Sequence, residues 1–219
     1  MGKIIISPSL LSVDIGNMER DVKNLEPVVD WFHVDVMDGH FVPNISYGVP
    51  VVKGLKKFTD TPLDVHLMID NPSKYIEPFI NAGADIVTVH VEVEDDILWC
   101  LKKIKEMDKM SGLALNPDTD PERIKPYLEY TDMVLQMTVF PGFGGQSIVT
   151  DAIKNVSVIR SMIGEKLLQV DGGITVENVD VLTKEGADVI VSGSGIFKFD
   201  DIANGAQMLR EKAIGGQKK

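Results

Sequence analysis

Short runs of β-branched and aliphatic residues alternate with helix-periodic stretches eight times along this chain. Strand patterns are read at Lys3–Ser7, Trp31–Met37 and Leu63–Met68, then within Gly83–His90. They continue at Gly112–Leu115, Asp132–Thr138 and Leu167–Val170, and within Gly186–Ser192. Helical spacing follows each one: Asp14–Pro27, Val49–Phe58, Pro72–Ala82, Asp95–Met107, Asp120–Tyr127, Val149–Ile163, Val176–Lys184 and Ile202–Ala213. Strict β–α alternation builds a parallel sheet, because each return to the sheet is made by a helix. Eight units in 219 residues suit a closed (β/α)8 TIM barrel near its lower size limit. The competitor is an open doubly wound sheet, which carries longer apolar strands and a single ligand crevice. Polar residues at the ends of many different strands favour the barrel. With no linker, low-complexity segment or composition shift, residues 1–219 are expected to form one domain, with 215–219 as a disordered tail.

Composition narrows the function classes. Hydrophobic residues make up 44% and the net charge is −11. No basic stripe is available for nucleic acid or an anionic membrane surface, so neither partner is expected. An anionic substrate must be held by local donors rather than by overall charge. The lone Cys100 forms no internal disulfide and lies in an apolar helical stripe, where core packing is the simpler reading. No run reaches signal-peptide or membrane-spanning length, and a cytoplasmic location is expected.

The second strand is unusual. Alternation puts His33, Asp35 and Met37 on one face and Phe32, Val34 and Val36 on the other. An imidazole and a carboxylate two residues apart on one face are either a structural pair or half of a metal site. In a barrel the chemistry gathers at the C-terminal ends of the strands. There His66 ends the third strand and Asp171 the seventh. His33, Asp35, His66 and Asp171 can close a four-ligand site for Zn, Fe(II), Mn or Co. Asp64 lies one layer deeper and suits a buried structural or outer role rather than direct ligation; His90 is a fifth candidate that, with His40 in a loop, suits an outer or surface place better than a ligand's.

Three glycine groups follow the late strands: Gly142-Phe143-Gly144-Gly145, Gly172-Gly173 and Gly193-Ser194. Such loops let backbone N–H groups approach a phosphate without Lys or Arg, though tight turns alone also call for glycine. Strands two and seven stand three steps apart around a ring of eight. Asp35 and Asp171 can therefore serve opposite faces of a flat intermediate, one removing a proton and the other delivering one. An enediolate between them would be stabilised by a divalent metal. That chemistry is epimerisation or isomerisation of a phosphorylated ketose. Met37, Met68 and Met137 flank the ligands and suit either a dry lid over the intermediate or plain packing.

Eight phrases carry a resemblance along nearly the whole chain: Ser7-Pro-Ser-Leu-Leu-Ser12, His33-Val-Asp-Val-Met-Asp-Gly39, Phe41-Val-Pro-Asn44, Asp64-Val-His-Leu-Met68, Gly112-Leu-Ala-Leu-Asn-Pro117, Pro141-Gly-Phe-Gly-Gly-Gln146, Val170-Asp-Gly-Gly-Ile174 and Gly193-Ser194. The sequence resembles the ribulose-phosphate 3-epimerase family. The resemblance implies a TIM barrel with one divalent metal on His33, Asp35, His66 and Asp171. It implies Asp35 as proton acceptor and Asp171 as donor, with the roles exchanged in reverse, and Ser9 and His66 touching the substrate. The glycine groups would hold the phosphate, and a homo-oligomer is expected. The implied reaction interconverts ribulose 5-phosphate and xylulose 5-phosphate. Met137-Thr-Val-Phe140 departs from the pentose pattern and is similar to that of the related allulose-6-phosphate 3-epimerase, while Phe140 matches neither, so substrate length stays open. Two further readings are a decarboxylase or lyase sharing the Asp35–Asp38 spacing, which lacks the Lys such enzymes use, and a non-catalytic sugar-phosphate-binding barrel.

Overall fold

Parallel strands β1 (Ile5–Pro8), β2 (Phe32–Met37), β3 (Leu63–Met68), β4 (Ile86–His90), β5 (Met110–Leu115), β6 (Met133–Met137), β7 (Leu167–Asp171) and β8 (Val189–Ser192) form one sheet in the order β1-β8-β7-β6-β5-β4-β3-β2. The ring closes at a parallel bridge between Ser9 and His33. Below it, the amides of Asp30 and Trp31 donate to the Ile6 carbonyl. This computed structural model describes residues 4–217. The expected TIM barrel is therefore present; Lys3, read as the start of the first strand, lies outside the described residues.

The helices are α1 (Met18–Leu25), α2 (Val49–Leu55), α3 (Ile76–Ala82), α4 (Ile97–Glu106), α5 (Thr150–Ile163), α6 (Val179–Lys184), α7 (Ser194–Phe197) and α8 (Ile202–Gln217). The first crossover is shorter than its pattern. A 3-10 turn at Ile15–Asn17, capped by Asp14, precedes α1, and another at Glu26–Val28 contains Pro27. The fifth is a 3-10 stretch, Pro121–Tyr130, with Pro126 inside it. Proline has no N–H and crowds the preceding turn, which disfavours an α-helix there. Helix α7 has four residues, too few for a periodic signal. Helix α8 runs on through Gly215 and Gly216 to Gln217, where the sequence suggested a tail; Lys218 and Lys219 lie outside the described residues. The paired Gly-Ala-Asp turns place Gly83 and Gly186 at φ +117° and +109°, the left-handed helix stop that glycine supplies.

Outward strand side chains such as Phe32, Val34, Val65, Leu67, Val87 and Val170 pack in the main core cluster beneath the helices. The barrel interior is layered differently. Ile5, Ile86, Met110, Met133, Leu167 and Val189 close its N-terminal end as an apolar plug. Two residues further along the strands several inward positions turn polar, Ser7, Asp64, Thr88 and Gln169, all fully buried, while Leu135 and Val191 keep the same layer apolar on β6 and β8. The next layer carries Asp35, His66 and Asp171, so the apolar plug forms a rigid floor under the chemistry.

Candidate active site

Register brings the cluster together. Asp35 pairs across from His66 on β2 and β3, and β7 ends at Asp171, paired with Met137 on β6. One donor atom from each of His33, Asp35, His66 and Asp171 lies within 4.8 Å of all the others. His33 Nε2 stands 3.4 Å from Asp35 Oδ1 and 3.8 Å from Asp171 Oδ2. His66 Nδ1 stands 3.5 Å from Asp35 Oδ1 and 3.3 Å from His33 Nε2. Four ligands about 2.0–2.1 Å from a tetrahedral ion sit roughly 3.3 Å from one another, so these spacings suit one divalent metal. The donor set of two imidazoles and two carboxylates suits it as well. All four side chains are buried.

Outer contacts fix three of the four ligands. His33 Nδ1 lies 2.7 Å from Asp64 Oδ2, which also accepts from Gln169 Nε2 at 2.6 Å. Asp64 is thus the outer partner its deeper layer suggested. Ser9 Oγ donates to Asp35 Oδ2 at 2.6 Å, leaving Oδ1 turned to the cluster. His90 is buried and its Nε2 lies 2.8 Å from His66 Nε2, an outer contact; His40 is exposed in its loop. A partner that sequence reading missed is Glu92, whose Oε2 lies 2.9 Å from His90 Nδ1.

The two carboxyls titrate apart in the metal-free site. Burial pushes the Asp171 carboxyl up, the neighbouring charge of Asp35 adds to this, and its pKa reaches about 7. Burial also pushes Asp35 up, but the charge and hydrogen bonds of His33 and His66 outweigh it and hold Asp35 below the usual carboxylate range. Burial opposes the charge on His33, yet Asp64 and Asp35 hold its pKa well above the ordinary value. Burial is the main cause that lowers His66 to about 4. Without metal, therefore, the proton of this pair resides on Asp171 rather than on Asp35.

A cleft of about 530 Å³, counting its open mouth, lies over the cluster. Ser9, Asp35 and Asp171 line it with Met37, Met68 and Met137, and so do Gly142–Gly145, Gly172–Gly173, Gly193 and Ser194. Phe143 borders the same cleft, while the fully buried His33 and His66 lie beneath it. Sequence reading did not single out Ser12, Val139 or Gln146, which also line it. No Lys or Arg is among the described residues lining the cleft. Gly172 and Gly173 take φ values of +114° and +66°; a Cβ on Gly173 would stand 2.5 Å from the Gln146 carbonyl oxygen, so the two loops meet at backbone distance. Gln146 Nε2 in turn donates to the carbonyls of Phe140 and Phe143, at 2.8 and 2.9 Å.

Two residues that raised the question of substrate length face elsewhere. Thr138 is buried, its Oγ1 lying 2.9 and 2.5 Å from the carbonyl oxygens of Asp171 and Gly172. Phe140 lines an adjoining outer groove with Phe41, Pro43 and Asn116, which shares Pro141, Phe143 and Gln146 with the cleft. Asp38 is a loop cap, accepting from the amides of His40, Phe41 and Asp70. Cys100 is buried, and burial, with the charges of Asp95 and Asp96, pushes its thiol up to about 12.

A barrel with buried imidazole and carboxylate donors at the C-terminal ends of its strands falls in the class of (β/α)8 proteins whose strand ends gather a cluster able to hold a metal ion. The chain belongs, within that class, to the ribulose-phosphate 3-epimerase family, whose sequence model matches residues 5–197; it is an isomerase. It is 44% identical to the chloroplastic ribulose-5-phosphate-3-epimerase of Arabidopsis thaliana over 91% of this chain and 74% of that one. Identity is 43% to the ribulose-phosphate 3-epimerase of Rhodobacter capsulatus, covering 89% and 86%. It is 40% to that of Bacillus subtilis, covering 96% of each. Among solved structures, 3-hexulose-6-phosphate synthase from Salmonella typhimurium superposes with a TM-score of 0.76 at 19% identity, over 98% of this chain and all of that one. That likeness is one of fold. No helix among the described residues is long and apolar enough to cross a membrane.

Proposed function

We propose that this chain inverts C3 of D-ribulose 5-phosphate to give D-xylulose 5-phosphate, and the reverse. The observation that carries the reading is the placement of Asp35 and Asp171 on β2 and β7, both in the cluster and both lining the cleft. Asp35, held ionised, takes the C3 proton from one face of the sugar. The electrons left at C3 delocalise onto the C2 carbonyl as a 2,3-enediolate. Asp171, on the far side of the cleft, delivers a proton to C3 from the opposite face. His33, Asp35, His66 and Asp171 would hold a divalent metal, which would supply positive charge to stabilise the enediolate; Zn, Fe(II), Mn and Co all suit this donor set.

The chain's own residues do the rest. Ser9 orients Asp35 through its 2.6 Å bond and stands at the substrate, with His66 below it. Met37, Met68 and Met137 wall the cleft with soft apolar surface that keeps water from the carbanion. Backbone N–H groups of Gly142, Gly144, Gly145, Gly172, Gly173, Gly193 and Ser194 bind the phosphate, with Phe143 at the rim. The six-carbon alternative has no support in the cleft, since Thr138 and Phe140 do not line it. A non-catalytic barrel is disfavoured by the convergence of all four ligand residues. A cytoplasmic homo-oligomer is part of the same proposal. The family resemblance supports the assembly, and the single buried cysteine supports a reducing compartment.

The test is solvent exchange. Metal-loaded enzyme in D2O should place deuterium at C3 of ribulose 5-phosphate, and Asp35→Asn or Asp171→Asn should abolish turnover. Absence of C3 exchange in the metal-loaded wild type would overturn the reading.

A further inference from the structure

Two neutral imidazole nitrogens at hydrogen-bond distance share one proton, so His66 Nε2 and His90 Nε2, 2.8 Å apart, cannot choose tautomers independently. The nitrogen that His66 turns toward the cluster is Nδ1. A metal ligand offers a lone pair, so Nδ1 must be bare and Nε2 must carry the proton. His90 Nε2 is then the acceptor, and the His90 proton sits on Nδ1, facing Glu92 Oε2 at 2.9 Å. The other oxygen, Oε1, accepts from the Asn116 amide at 2.7 Å and from Thr119 Oγ1 at 2.6 Å. These donors pin the carboxylate, so Oε2 presents only an acceptor to His90. The His90 ring meets His66 edge to edge and nearly in plane, with centroids 5.0 Å apart and 18° between the rings, and Phe41 packs against it, tilted at 4.8 Å and 52°.

We propose that Glu92, acting through His90, sets the tautomer of His66 and so makes Nδ1 its ligand nitrogen. Glu92 is a positioning residue, two residues beyond β4 and two side chains away from the metal. The proposal rests on reading the four-residue cluster as the metal site. It differs from the arrangement at His33, where a carboxylate, Asp64, contacts the ligand directly. At His66 the His90 ring intervenes, and the carboxylate is displaced to a partly buried side chain.

Glu92→Gln separates this role from simple packing. Asn116 and Thr119 still require an acceptor, so the amide oxygen turns to them and the amide nitrogen turns to His90. His90 Nδ1 must then accept, its proton moves to Nε2, and His66 Nε2 faces a donor. His66 is driven to carry its own proton on Nδ1, where the metal would bind.

The experiment starts with the wild-type chain, loaded with zinc and labelled with 15N at its four histidines. Long-range 1H–15N spectra should show His66 protonated on Nε2 and His90 on Nδ1. A His90 protonated on Nε2, or a His66 bound through Nε2, overturns the inference without touching the metal site. Failure of the wild type to bind zinc overturns both. Chelator competition should then show zinc binding to Glu92→Gln weakened about 10- to 100-fold. In a His90→Phe background, which cuts the relay, the same substitution should change zinc affinity by no more than about twofold. A full-sized loss in that background would make Glu92 a structural brace and overturn the proposal.

Discussion

His33 and His66 meet through opposite ring nitrogens, with Nε2 of the first 3.3 Å from Nδ1 of the second. The difference follows from position. The Nδ1 of His33 reaches the Asp64 carboxylate at 2.7 Å, whereas the far nitrogen of His66 reaches His90. Each ligand nitrogen is therefore chosen by what the ring's other nitrogen meets, and the outer partners set the metal site as firmly as the ligands do.

Asp64→Asn tests the His33 side. The amide oxygen can occupy the Oδ2 position and accept from His33 and Gln169. The amide nitrogen then points where Oδ1 lies without a side-chain or backbone partner, and the negative charge behind His33 is lost. Zinc affinity should fall about 10- to 100-fold, measured by chelator competition, while the circular dichroism spectrum stays native. An affinity equal to wild type would mean that Asp64 only fills the barrel.

Ser9→Ala removes the 2.6 Å hydrogen bond to Asp35 Oδ2. A hydrogen bond to an ionised group is worth about 1.5–3 kcal/mol, and its loss disfavours the carboxylate. kcat should drop about 10- to 100-fold, and the acidic limb of the kcat/KM profile should move to higher pH. An unchanged limb would show that Ser9 serves the substrate rather than the base.

The contrast between these residues and Glu92 explains what the sequence disclosed. Period-two alternation exposed His33, Asp35 and His66, because inward positions on a strand follow a fixed rule. Asp171 was readable because it ends a strand before two glycines. Asp64 was placed one layer down by the same alternation, and there it is. Glu92 obeys no such rule. It lies past the end of β4, and its meaning depends on Asn116 and Thr119, more than twenty residues away. The barrel closure at Ser9 and His33 is a single bridge, without the length to leave a pattern. The first and fifth crossovers broke where proline or a short cap overruled apolar spacing.

Asp171 gives the metal-free protein a pH-dependent stability. Its folded pKa is about 7 against an ordinary 3.8, so the native state keeps a proton that the unfolded chain releases. That contribution is complete below the unfolded pKa and is lost as pH rises through the folded one. Compared with Asp171→Asn, chelator-treated wild type should lose on the order of a few kcal/mol between pH about 4 and 7. Urea unfolding at steps across that window checks it. Parallel stability curves for the two proteins would refute the raised carboxyl.

Gly173→Ala probes the phosphate loops. Gly173 sits at φ +66°, and an added Cβ would meet the Gln146 carbonyl oxygen at 2.5 Å and the Ile148 amide nitrogen at 3.1 Å. Both contacts are backbone, so relief requires the 140–149 loop to move away from β7. That loop carries Gly142, Gly144 and Gly145, and its shift would pull their N–H groups off the phosphate. The metal cluster lies below and keeps its ligands. KM for the sugar phosphate should therefore rise about tenfold or more, as expected for the loss of roughly 1.4 kcal/mol of binding, while zinc affinity stays at the wild-type level. Steady-state kinetics and chelator competition on one preparation separate the two effects. A fall in zinc affinity with KM unchanged would place Gly173 with the metal rather than the phosphate.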